Sequence, residues 1–65
     1  MCLDVQGASG SNNAAVIVWS CNGGDNQKWI ADREGRLRPL HAPNKCLDIA
    51  GAGGGNGVQL VIWDW

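Results

Sequence analysis

The sequence contains no phenylalanine and no tyrosine, and only one histidine, one methionine and two prolines in 65 residues. Its entire aromatic content is Trp19, Trp29, Trp63 and Trp65. It has no run of about 18 apolar residues, the length a membrane-spanning helix requires, so no membrane span is expected. No positively charged and apolar leader opens the chain. Met1-Cys2-Leu3-Asp4 instead reads as the middle of a strand, which suits a piece of a longer, secreted protein. No Cys-x-x-Cys pair occurs among the three cysteines, so the close spacing of a zinc site is missing and no metal or cofactor is expected. Three cysteines in a small glycine-rich chain fit an oxidising compartment. Neither sign of charge dominates. The net charge is −1, and Lys28, Arg33, Arg36, Arg38 and Lys45 are interleaved with Asp32 and Glu34, which is not the basic field of a nucleic-acid binder.

Ten glycines and a 45% hydrophobic fraction remain. A chain this short buries only about 60% of its unfolded surface, so its core needs supplementing. The sequence is also self-similar. "MCLDVQGASGSNNAAVIVWSC" aligns with "KCLDIAGAGGGNGVQLVIWDW" at an offset of 44, matching at eight of 21 positions without a gap. The matches are Cys2/Cys46, Leu3/Leu47, Asp4/Asp48, Gly7/Gly51, Ala8/Ala52, Gly10/Gly54, Asn12/Asn56 and Trp19/Trp63. The expected organisation is therefore one complete unit, 1–44, and the first half of another, 45–65.

Within the first unit, short apolar runs alternate with turn clusters. They predict strands at Cys2–Val5, Val16–Trp19, Lys28–Ala31 and Leu37–Leu40, with a hairpin turn at Glu34-Gly35 and another turn in "HAPNK". No window carries a sustained helical period, so the fold class is all-β. The glycine-rich "GAGGGNG" at 51–57 lacks the context of a phosphate loop. Asn56 stands where a dinucleotide fingerprint needs glycine, and the strand-like "VQLVIW" follows where a helix should begin.

Three elements in order, "CLD", "VIVWSC" and "NQKW", two of them repeated at the same interval, resemble the ricin-B-type lectins, which are β-trefoil carbohydrate-binding modules. The resemblance covers the whole chain. It implies a β-trefoil of which about one and a half of three repeats are present, with one shallow sugar pocket per unit. It assigns carbohydrate-binding roles to Asp4, Trp19, Asn26 and Gln27, and to Asp48 and Trp63 in the half unit, whose own Asn-Gln pair would lie beyond Trp65. Many relatives carry a polar residue where Ile17 stands here. The resemblance also implies a disulfide between Cys2 and Cys21, with Trp65 at the position matching Cys21 and Cys46 left unpaired. The ligand class it suggests is a galactose-like or xylan-like glycan, and such modules accompany catalytic domains such as glycoside hydrolases.

The chemistry suits a sugar. A carboxylate accepts from two neighbouring hydroxyls, an amide offers both a donor and an acceptor, and an indole presents a flat face to C–H groups. Structural roles compete at each position. Asp4 can cap the turn at Gly7, Gln27 can bond turn backbone, Trp19 can be buried in its strand, and Trp29 is expected in the core. Catalysis is not expected, because His41 has no neighbouring carboxylate in sequence and no opposed carboxylate pair of a glycosidase is indicated. The alternative to a sugar-binding module is a non-binding structural or self-associating trefoil piece.

Overall fold

The computed structural model describes residues 1–52 and 54–65. Gly53, within the glycine-rich loop, lies outside the described residues. Six strands form: β1 (Cys2–Val5), β2 (Ala15–Trp19), β3 (Trp29–Ala31), β4 (Leu37–Pro39), β5 (Lys45–Ile49) and β6 (Leu60–Asp64). Single 3-10 turns occupy Gln6–Ala8, Asp25–Gln27 and Ala50–Ala52, and there is no α-helix among the described residues. Among the described residues no helix is long and apolar enough to cross a membrane. Strands β1, β2, β6 and β5 make one sheet in that order, while β3 and β4 pair separately. The architecture is a partial β-trefoil, all-β as its sequence pattern requires.

The strand ends depart slightly from expectation. Lys28 and Leu40 fall outside β3 and β4, yet the Leu40 amide still donates to the Lys28 carbonyl at 2.8 Å, so the ladder continues past the strand ends. Between these strands Gly35 N donates to Asp32 O at 3.2 Å and closes the turn. The Asp32 carboxylate reinforces it by accepting from the amides of Glu34 and Arg36 at 3.0 and 2.9 Å.

The two long hairpins share one register. Cys2 pairs with Trp19 and Asp4 with Ile17, as Cys46 pairs with Trp63 and Asp48 with Val61. The turns after β1 and β5 also match, with Gly7 and Gly51 both at φ 65° and ψ 15°, a conformation that glycine adopts without the Cβ clash other residues meet. Ala15 and Val16 of β2 then pair with Val61 and Leu60 of β6, joining the hairpins.

Strand alternation separates the faces. Val5, Val16 and Ile62 form the buried core, with Leu3, Ala14, Trp29, Leu47 and Leu60 packed against it. Trp29 therefore has the core position expected of it, and its Nε1 donates to the Leu3 carbonyl at 3.0 Å. Cys2 and Cys21 are joined by a disulfide, their Cα atoms 5.1 Å apart. Cys46 is free. Trp65, at the position equivalent to Cys21, is exposed and stacks beneath the Arg36 guanidinium, whose carbon lies 4.1 Å from the ring centroid.

A polar network ties the loop before β2 to the second hairpin. Lys45 Nζ donates to Asn12 Oδ1 and to Asp64, and Asn12 Nδ2 donates to Asp64 Oδ2 at 2.9 Å. The hydrogen bond from Lys45, then that from Asn12, holds the Asp64 carboxyl below the ordinary aspartate range. The Arg36 amide, joined by the Arg36 side chain, does the same for Asp32 against the opposing effect of burial. A carboxyl with a lowered folded-state pKa contributes stability above its unfolded value and loses it as pH falls through the folded value. Thermal midpoints should therefore decline once pH drops below about 4, the ordinary aspartate range. Asp64→Asn should flatten part of that decline. An identical acid profile in the variant would remove Asp64 from the account.

Candidate carbohydrate site

Directly opposed residues of an antiparallel pair project from the same face of a sheet. Asp4, Ile17 and Trp19 thus share the face of the first hairpin opposite Val5 and Val16. They line a shallow cavity of about 340 Å3 together with Asn22, Asn26 and the Gln6–Ala8 turn.

Asp4 is 5% exposed, and it is braced rather than isolated. Its Oδ1 accepts from Asn26 Nδ2 at 3.2 Å, and its Oδ2 accepts from Gln27 Nε2 at 2.7 Å. Asn26 Nδ2 also donates to the Val5 carbonyl at 3.0 Å, so both its amide hydrogens are engaged within the protein and its Oδ1 is left as an acceptor. Two neutral amides hold a carboxylate at the cavity wall with a lone pair of each oxygen still available. Asp4 does not cap the turn at Gly7; the 3-10 turn at Asp25–Gln27 supplies its partners instead.

Gln27 is fully engaged away from the cavity. Its Oε1 accepts from the Asn22 amide at 2.8 Å, and its Nε2 donates to the Ser20 carbonyl at 2.9 Å besides Asp4. Of its two sequence readings the backbone-bonding one matches this geometry, and Gln27 stands behind Asp4 rather than on the cavity wall. Gln27 and Trp29 together clamp the segment after Cys21 onto β1 and the end of β2.

Trp19 is 57% exposed, so its ring is open to solvent at the cavity mouth. Its alternation with the core-facing Val16 is what turns it outward. Asn22 was not singled out in the sequence, although it opens the Asn-Gly-Gly stretch that ends at Asn26. Its Oδ1 accepts from the Gly24 amide at 2.8 Å, an Asx turn that leaves its Nδ2 as a donor. Gly24 is needed for this arrangement. A Cβ there would lie 2.7 Å from Asn26 Oδ1 and 3.0 Å from Asn22 Oδ1, forcing the two amides off the cavity.

Asp48 and Trp63 line a second, smaller cavity of about 230 Å3 with Asn13 and Val61. The resemblance to the first site is partial. Asp48 is exposed, and its Oδ1 accepts only from the adjacent Ile49 amide at 2.8 Å; no amide pair braces it among the described residues. Asn13, at φ 69°, reaches this cavity from the first unit, a contribution no local motif signals. No group of three or more metal-ligating side chains occurs among the described residues.

The all-β architecture, with its curled antiparallel sheet, is that of a partial β-trefoil. The chain belongs to the ricin-type β-trefoil lectin domain-like family, whose sequence model matches residues 1–63. Membership carries carbohydrate binding as a general property, and domains of this family are generally non-catalytic.

Proposed function

We propose that the chain is a carbohydrate-binding module, not an enzyme, that holds a neutral sugar of a galactose-like or xylan-like glycan in the cavity formed by Asp4, Trp19 and Asn26. The observation that carries this reading is the braced carboxylate. Asn26 and Gln27 orient Asp4 so that it accepts from a vicinal diol by charge-assisted hydrogen bonds, while Trp19 offers its face to the sugar's C–H groups. Gln27 acts through Asp4. The Asp48–Trp63 cavity is the weaker site, because its acid is unbraced and hydrated. An open, shallow site binds weakly alone and gains from several sites on one molecule. A glycan array and a solution titration should show saturable binding to neutral glycans that Trp19→Ala removes. Identical binding by folded Trp19→Ala would exclude this cavity.

The exposed apolar surface favours a second role in self-association. Val18, Ile49, Trp63 and Trp65 are all more than 40% exposed, and no strand pairs with the outer edge of β5 among the described residues, whereas side chains of Trp29 and Asn26 already occupy the Leu3 and Val5 carbonyls of the other edge strand, β1. In this reading the module works in a secreted protein, beside further copies or as part of a longer chain that includes a catalytic domain such as a glycoside hydrolase. Sedimentation of the isolated chain should show mass rising with concentration; a single concentration-independent mass would exclude self-association.

A further inference from the structure

The first cavity is chemically lopsided. Its hydrogen-bonding groups are the Asp4 carboxylate, Asn26 Oδ1 and Asn22 Nδ2, with the Gln6 side chain at the end. Ile17 stands directly opposite Asp4 and two residues before Trp19 on the same face, and its side chain has neither donor nor acceptor. Among the described residues no Lys, Arg or His lines the cavity. The second cavity makes the same choice, since Val61 stands opposite Asp48 and two residues before Trp63.

A pyranose with a vicinal diol on Asp4 and a C–H face on the Trp19 ring turns another edge toward Ile17. A hydroxyl on that edge gives up water and finds no partner, whereas a hydrogen or a methyl group gains van der Waals contact and buries apolar surface. The lone carboxylate, with no cation beside it, also repels acidic sugars.

We propose that Ile17 makes this cavity selective for neutral sugars lacking the hydroxymethyl hydroxyl, namely pentopyranoses and 6-deoxyhexopyranoses, over the corresponding hexopyranoses. The proposal rests on the carbohydrate reading given above and separates its two glycan classes, favouring the pentose-based one. Ile17 is then a specificity-determining residue in contact with the ligand.

Sugars of matched ring configuration provide the test. D-galactose, D-fucose and L-arabinose differ only in bearing hydroxymethyl, methyl or hydrogen at one ring carbon, and D-glucose and D-xylose form a second such pair. Titrated into the oxidised chain and followed by NMR, the sugar lacking the hydroxyl should bind about tenfold more tightly than its hexose counterpart in at least one series. Ile17→Gln, which supplies an amide to that edge, should bring the ratio close to one by strengthening hexose binding. Equal affinities within both series for the unmodified chain, or tighter hexose binding, would overturn the proposal. That ratio is read without any substitution, so a folding defect in the variant does not obscure it. Binding of every sugar with a ratio near one leaves the carbohydrate reading intact and defeats only the selectivity; no saturable binding by any of them defeats both.

Discussion

Replacing Cys2 and Cys21 together by serine should abolish cooperative folding near physiological temperature. The disulfide spans 19 residues, and closing a loop of that length contributes about 3 kcal/mol by constraining the unfolded chain. For a domain of this size each kcal/mol is worth about 4–8 °C of thermal midpoint, so the expected fall is about 12–24 °C. Little stands in reserve. Among the described residues the buried hydrophobic side chains are Val5, Val16, Ala42, Val61 and Ile62, and Leu3, Ala14, Trp29, Leu47 and Leu60 are only partly buried against Val5, Val16 and Ile62. Thermal unfolding followed by near-ultraviolet circular dichroism would measure the loss, and thiol titration of the denatured, oxidised parent should find one free thiol, from Cys46. A double-serine variant melting within about 4 °C of the parent would mean that the bond contributes under about 1 kcal/mol and that the small core suffices.

Asp4→Asn should remove sugar binding and also loosen the segment that supports the site. An asparagine places an NH2 group against either Asn26 Nδ2 or Gln27 Nε2, both of which donate to the carboxylate. Gln27 cannot turn its amide over without breaking its bonds to Ser20 O and the Asn22 amide. Losing a charged acceptor should weaken binding by about 1.5–3 kcal/mol, with about 1–3 kcal/mol of stability lost where a donor is left without a partner. Calorimetric titration and thermal melts of the same samples give both quantities. A folded Asp4→Asn variant that binds as the parent does would take Asp4 out of the site. Asp48→Asn should change stability little, because Asp48 is exposed and, among the described residues, no amide pair braces it.

Strand positions were legible because alternation and turn residues act locally. Assigning Asp4 and Trp19 to one face excludes registers one residue away from the observed pairing of Cys2, Leu3, Asp4 and Val5 with Trp19, Val18, Ile17 and Val16, but not those two residues away. The residues on the cavity wall were legible only in part. Asp4, Trp19 and Asn26 line one cavity, but composition gives no hint that Gln27 faces Asp4 rather than the cavity, since an amide serves either role. Asn22 was hidden because its contribution depends on the Gly24 close approach, a tertiary feature. Asn13 enters the second cavity across the β2–β6 pairing, 35 residues before Asp48, and Lys45 reaches Asn12 across 33 residues while also holding Asp64, 19 residues on. Contacts of that kind come from the joining of two hairpins, which no single stretch of sequence encodes.

In the proposed complex a neutral sugar sits against Trp19 and Asp4. The four tryptophans give four indole N–H signals, and only Trp19 belongs to the first cavity, since Trp29 is packed in the core with its N–H on Leu3, Trp63 lines the second cavity and Trp65 lies under Arg36. The most direct measurement is an NMR titration of the oxidised chain with D-xylose and D-fucose. Saturable shifts of the Trp19 indole together with the Asn22 and Asn26 side-chain amides are expected, at sugar concentrations that leave Trp29 and Trp65 unmoved. Shifts confined to Trp63 or Trp65, or none at any indole up to saturating sugar, would contradict the proposed complex.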